Sequence, residues 1–225
     1  MRVPKVKSFD TNSPFEVVEL DPMDYNSKWY NFSNQRDKTK WINTCERMIR
    51  SSLEYKELIL MFKSSRGMNH CAFFKNLSWE AYPRAKIRIE VHHEPFTLYS
   101  IIAVVLNDWL MRDQQPDMFQ IAEEVMELHY RGLVGLIPLS KTVHQAIHSG
   151  KGFIPLHVID ERWNKFIDEY STSLEQLPEI VELIRAKLHL TKEYQQDPEQ
   201  FKSIFRKKYI YVVNSDYESI PDEIE

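Results

Sequence analysis

Apolar residues recur with two different periods along this chain, and each change of period predicts a new element. Polar and apolar residues alternate from Lys86 to His92, which is the period of a half-buried β-strand. The apolar run over 133–139 is typical of a short buried strand. Between these strands, apolar residues recur at helical spacing over 98–110 and 118–126, which predicts a pair of helices.

The two flanks of this segment also show helical periodicity. Two helices are predicted before it and three after it, over 41–50, 54–63, 159–170, 174–189 and 198–208. Residues 71–74 could add a strand beside the others. The sequence predicts an extended arm over 1–35, one domain over 36–212 and an acidic tail over 213–225. Within the domain, the core is predicted to consist of segments 84–96 and 132–152, with a helical insert at 97–131 between them.

Four of the eight histidines fall into two compact clusters, each suited to metal binding. His92 and His93 are adjacent on the first predicted strand, so that their rings point to opposite faces. Glu90 shares the face of His92. One imidazole of the pair can therefore bind a metal ion while its neighbour stays free to take a proton.

The second cluster has the spacing of a helix. His144 and His148 are four positions apart, which places both rings on one helix face. Ser140 precedes this helix as a predicted N-cap, and Gly150 follows it as a predicted stop. If the two strands and this helix converge, three imidazoles meet around one ion, with His93 beside them.

This pattern resembles the HNH, or ββα-metal, nucleases, in particular the bacterial toxin DNases of the colicin type. The matching residues are Glu90-Val-His92-His93 with Pro95 two positions on, and His144-x-x-x-His148-x-Gly150-Lys151. With the segment between them, they span about a quarter of the chain. The remainder is similar to bacteriophage-encoded HNH-like proteins.

The resemblance implies an α+β fold with a ββα-metal core, a two-helix insertion and helical flanks. It assigns His92, His144 and His148 as ligands of one divalent ion, His93 as general base, and Glu90 as an acid that orients the site. Three nitrogen ligands favour Zn, Ni or Mn over Mg. The implied reaction is hydrolysis of a DNA phosphodiester, and double-stranded DNA is the expected partner. Four cations are candidate phosphate contacts: Lys86, Arg88, Lys141 and Lys151.

The chain departs from the family pattern at three points. The central Asn of the family would fall near Val134 or Gly135, and a family Arg is replaced by Lys86, which lacks the planar guanidinium fork. The two clusters are also separated by 50 residues, 94 to 143, which requires an insertion. These departures leave open a second hypothesis, a non-enzymatic phage accessory or assembly protein with a structural metal site, in which His129 could be a fourth ligand.

Composition narrows the setting further. The formal net charge of −4 argues against a protein that coats nucleic acid indiscriminately, but it permits a local cationic patch. No apolar run approaches the ~20 residues that cross a bilayer, so no membrane partner is expected. Two cysteines without a C-x-x-C pair favour an intracellular compartment, the host cytoplasm for a phage-encoded protein.

Overall fold

The computed structural model describes residues 30–73, 88–149, 152–196 and 210–211. The predicted arm up to residue 29, the predicted helix at 198–208 and the predicted acidic tail lie outside the described residues. The division into domains stays a prediction.

The described chain is mostly helical, with two small sheets. Its helices are α1 (Gln35–Ser51), α2 (Leu53–Ser65), α3 (Leu98–Met111), α4 (Met118–Tyr130), α5 (Lys141–His148), α6 (Trp163–Glu169), α7 (Ser171–Glu175) and α8 (Pro178–Gln196). Its strands are β1 (Ile89–His93), β2 (Leu136–Ser140), β3 (Gly152–Phe153) and β4 (Ile210–Tyr211), and a short 3₁₀ turn spans Leu156–Val158. The predicted α+β class is confirmed.

The two predicted strands pair as an antiparallel hairpin, β1 with β2, in which His92 lies opposite Ile137 and His93 lies opposite Leu136. The second strand begins later than predicted, at Leu136. Gly132 and Gly135 have φ angles of 67° and 73°, and these left-handed conformations turn the backbone before the strand can start.

The two helices predicted between the strands are present as α3 and α4. Thr97 and Asp117 cap the two helices, each with a side-chain oxygen that accepts from backbone N–H groups of the first turn. Nearly every residue of α3 from Leu98 to Leu106 is buried. The predicted apolar helix is therefore the centre of the main core, where it packs against α1, α4 and α7.

The carboxyl-terminal flank differs from the prediction. In place of one helix over 159–170, Asp160 forms an isolated bridge with Leu136, and α6 starts only at Trp163. Residues 71–73 form a bend instead of a strand, although the Ala72 N–H donates to the Pro138 carbonyl at 2.8 Å.

Among the described residues, we find no helix with the length and apolarity of a membrane span.

Candidate metal centre

The hairpin passes directly into the helix that carries the second histidine pair. Ser140 is the last residue of β2 and the N-cap of α5, and its Oγ accepts from the Val143 N–H at 3.4 Å. This confirms the predicted cap. The Lys141 N–H donates to the Arg88 carbonyl at 3.0 Å, so the start of α5 is held against the start of β1. The predicted stop, Gly150, lies outside the described residues.

The register of the hairpin decides which side chains face α5. Glu90 and His92 share one face of the sheet with Ile137 and Leu139, since opposed residues of paired strands point the same way. Those two apolar residues form a small core with Val143 of α5. His92 is therefore directed towards α5, and His93 lies on the opposite face, as the alternation in the sequence predicts.

His92, His144 and His148 come together on this face. Each offers one ring nitrogen, and these nitrogens lie within 4.8 Å of one another. The ring centroids are 4.5 to 5.1 Å apart, and the ring planes cross at 67° to 88°. His92 is buried, His144 is half-buried and His148 is exposed, so the cluster lies at the protein surface.

The donor set fits a divalent transition metal. A tetrahedral ion with Zn–N bonds of about 2.0–2.1 Å needs ligand nitrogens roughly 3.3–3.4 Å apart. The two Nε2 atoms of His144 and His148 are 2.9 Å apart, and the widest separation in the cluster is 4.8 Å. Side-chain adjustments of about an ångström would bring all three nitrogens to bonding distance.

Glu90 holds the ring of His144. Its Oε2 lies 2.5 Å from Nδ1 of His144, and its Oε1 forms an ion pair with Nε of Arg88 at 3.0 Å. A carboxylate on Nδ1 fixes the tautomer in which Nε2 of His144 carries a lone pair, which is the form that binds a metal ion. The contact fits the orienting role that the motif assigns to Glu90.

Removal of this carboxylate is expected to weaken metal binding. Glu90→Gln should lower the affinity for Zn²⁺ by about 10- to 100-fold, because His144 loses the charged partner that orients its ring. A competition titration against a chromophoric chelator measures the change. Glu182→Gln removes the same charge from the exposed side of α8 and should bind like the parent. Equal affinities for Glu90→Gln and the parent would remove Glu90 from the site.

Glu94 is an acidic neighbour of the cluster that the sequence did not reveal. It is 5% exposed, and its Oε2 lies 3.5 Å from Nε2 of His92. Lys187 of α8 donates to its other oxygen. Burial alone would raise the pKa of Glu94, but hydrogen bonds from His92 and Lys187 lower it overall. A buried, ionised carboxylate is thus available beside His92.

His93 lies on the opposite face from His92, as predicted, but it does not reach solvent in the way that a free base would. The side chain is only 5% exposed. Its Nε2 lies 2.9 Å from Nε2 of His129, and its ring stacks on that of Tyr55. The expectation of an open imidazole was wrong because this face of β1 packs against the main core. His129, which the structural-metal hypothesis offers as a fourth ligand, pairs with His93. It therefore lies outside the cluster of His92, His144 and His148.

The hydrogen bonds fix the tautomers of this buried pair. Nδ1 of His129 is 2.7 Å from the Val125 carbonyl, to which it can only donate. Its Nε2 must then accept, so Nε2 of neutral His93 is the donor. Burial lowers the pKa of His93 well below its ordinary value and lowers the pKa of His129 to about 4.

This burial predicts a loss of stability in acid. The unfolded chain takes up a proton on His129 near its ordinary pKa of 6.5, whereas the folded chain does so only near 4. Stability that is fully present above pH 6.5 should therefore fall by about 3 kcal/mol as the pH drops to 4. Denaturant unfolding with a chelator present measures this dependence. His129→Leu should make the free energy of unfolding depend less on pH, and the exposed His189→Gln should leave that dependence unchanged. An unchanged pH dependence in His129→Leu would contradict the lowered pKa of His129.

The four predicted phosphate contacts are only partly accounted for. Arg88 pairs with Glu90, and Lys141 is exposed on the first turn of α5. Lys86 and Lys151 lie outside the described residues. Arg50, in the last turn of α1, was missed: its charge adds to burial in lowering the pKa of His93, His129 and His148. The sequence offered no signal for it beyond its place in a predicted helix.

Comparison with protein families identifies the lineage of the chain. A family model described as "Bacteriophage G278-like virion protein" matches residues 5–218. The chain belongs to this family. Because the match covers almost the whole chain, it includes both histidine clusters and the helical insert. No curated protein and no solved structure matches the chain.

Membership of the G278-like virion protein family supports the phage origin predicted from the sequence. The family is described by a place in the particle and not by an activity. It is also a different family from the HNH nucleases that the histidine motif resembles.

Proposed function

We propose that this protein is a non-enzymatic accessory or assembly component of a phage particle, with one structural metal ion on His92, His144 and His148. The proposal rests on the observation that three imidazoles come together although they belong to two stretches of the chain, β1 and α5, with 50 residues between them. Family membership supports a place in the particle. Zn, Ni or Mn suits the three nitrogens better than Mg does.

The ion would stabilise a helix that has little else to hold it. α5 has eight residues, and Val143 is its one buried residue. So short a helix is marginal in water without tertiary contacts. A metal bound to both of its histidines and to His92 would tie α5 to β1, and β1, β2 and α5 would then form a ββα-metal core. Glu94 is close enough to His92 to supply a fourth ligand after a side-chain movement.

Thermal unfolding tests the structural role. Metal-free protein should melt several degrees lower than protein with Zn²⁺ at 100 times its Kd, since such binding contributes about 2.7 kcal/mol. Ni²⁺ and Mn²⁺ should raise the Tm as well, and Mg²⁺ much less. A Tm that none of the four ions changes would contradict a structural metal centre.

DNA endonuclease is the second candidate, and one observation favours it. Nε2 of His93 donates its proton to His129, so Nδ1 of His93 is the nitrogen with a lone pair that can accept a proton. In this role His93 would take a proton from water, Glu90 would orient His144, and a bound ion would supply charge stabilisation at the scissile phosphate. The burial of His93 counts against it.

A cleavage assay separates the two candidates. We expect the parent to leave supercoiled plasmid intact with Zn²⁺, Ni²⁺, Mn²⁺ or Mg²⁺, as a structural centre requires. Nicking by the parent that His93→Ala abolishes, with unchanged metal content, would replace the structural role by the nuclease. Metal content is measured on the same preparations, so that loss of the ion is not mistaken for loss of the base.

A further inference from the structure

One face of α1 carries a row of cations that the metal centre does not use. Arg36, Lys40, Arg47 and Arg50 are all exposed, with the exposed Asn43 between them. At 100° per residue, these five positions fall within about 80° of one another around the helix. They therefore form a single line along α1, which we call the cationic row.

The acidic residues of α1 do not cancel this charge. Asp37 and Glu46 are only half-exposed; Asp37 accepts from the Asn31 N–H, and Glu46 pairs with Arg50 at 2.8 Å. Within the described part of the chain, no carboxylate forms an ion pair with Arg36, Lys40 or Arg47. Three of the row's four cations thus have no ion-pair partner among the described carboxylates, on a protein whose formal net charge is −4.

The other side of α1 restricts what can bind. Its apolar residues are buried in the main core, among them Trp41, Ile42 and Ile49. A helix that enters a lipid surface needs a free apolar face for insertion, and α1 has none to offer. What remains exposed is a straight line of charge, which complements a regular polyanion.

The dimensions of the row also fit such a partner. With a rise of 1.5 Å per residue, Arg36 and Arg50 are about 21 Å apart along the axis, the length of roughly six nucleotides of one B-DNA strand. Arg50 is the last cation of the row and lies in the last turn of α1.

We propose that the cationic row of α1 is a nucleic-acid interface that binds the phosphate backbone without reading base sequence. The partner is identified by its chemistry, a polynucleotide with evenly spaced phosphates. Arg36, Lys40 and Arg47 are the principal contacts, since none of the described carboxylates forms an ion pair with them. The interface needs no metal ion and goes beyond the structural role proposed above. It is also distinct from the lysines and arginine that the nuclease motif suggests.

Fluorescence anisotropy with a labelled 20-base-pair duplex and a 20-nucleotide strand tests the interface. The triple variant Arg36→Gln, Lys40→Gln, Arg47→Gln should bind at least about tenfold more weakly at low salt, because each lost phosphate contact also removes counterion release. For the duplex, the slope of log affinity against log salt should become shallower by about 2.7. Arg50 is retained because it already pairs with Glu46.

A matched control removes three exposed cations elsewhere. Lys56→Gln, Arg185→Gln and Lys192→Gln lower the net charge equally on α2 and α8 and should leave affinity and salt slope close to those of the parent. Equal weakening of both triple variants, or no DNA binding by the parent, would overturn the proposal. The proposal would also be overturned if the parent bound phosphatidylserine vesicles and not DNA, and if only the α1 triple variant lost that vesicle binding. Metal content, measured in parallel, should be unchanged in both variants.

Discussion

His144→Ala is expected to lower the affinity for Zn²⁺ on the order of a hundredfold or more. It removes one of the three proposed ligands, whereas loss of only a hydrogen-bond partner of a ligand costs about 10- to 100-fold. His144 is half-buried and packs at the surface, so the variant should fold. Isothermal titration of metal-free protein with Zn²⁺ measures the loss.

The control for this variant is an exposed histidine. His189 lies on α8 and pairs with Glu193, away from the cluster. His189→Ala makes the same chemical change and should bind Zn²⁺ like the parent. If both variants kept the parental affinity, the three imidazoles would not be the ligands.

Gly135→Ala is expected to destabilise the fold by about 3–5 kcal/mol. Gly135 has a φ of 73°, and a Cβ built on it would lie 2.1 Å from the backbone oxygen of Glu94. The contact is with backbone, so one strand of the hairpin has to move. The Glu94 N–H also donates to the Gly135 carbonyl at 3.1 Å, and this bond would be strained by the same movement. Urea unfolding of metal-free protein measures the effect.

Gly67→Ala separates the clash from backbone strain. Gly67 has a similar φ of 68°, but a Cβ there would meet nothing within 4 Å. This variant should lose only about 1 kcal/mol, the cost of a left-handed conformation in a non-glycine residue. If Gly135→Ala lost no more than Gly67→Ala, the close approach between Gly135 and Glu94 would not constrain the hairpin.

The local parts of the candidate site could be predicted from sequence because each depends on a short repeat. Alternation over the first strand predicts that His92 and His93 lie on opposite faces, and spacing by four positions pairs His144 with His148. Ser140 carries its own capping signal. The helical insert was equally predictable, since the apolar spacing of α3 extends over several turns.

The non-local contacts could not be predicted this way. His93 meets His129 across 36 positions, and Glu94 meets Lys187 across 93. No periodicity connects residues at such separations; only packing of β1 against the helices brings them together. For the same reason the sequence suggested an open His93, although its face of the strand is covered by the main core.

The late start of α6 also follows from tertiary structure. The Asp160 N–H and carbonyl both bond to Leu136 of the hairpin, at 3.1 Å and 3.3 Å. Glu161 then adopts a φ of 80°, which cannot continue a right-handed helix. Apolar spacing alone predicts a helix through these residues because it contains no information about a bridge to β2.

Metal stoichiometry with X-ray absorption spectroscopy tests the central claim most directly. Protein purified without a metal-affinity column and loaded with Zn²⁺ should hold one ion per chain, with nitrogen scatterers at about 2.0 Å and no sulfur. The triple variant His92→Ala, His144→Ala, His148→Ala should hold none after the same treatment. Sulfur ligands, or equal zinc in parent and triple variant, would contradict a three-histidine centre.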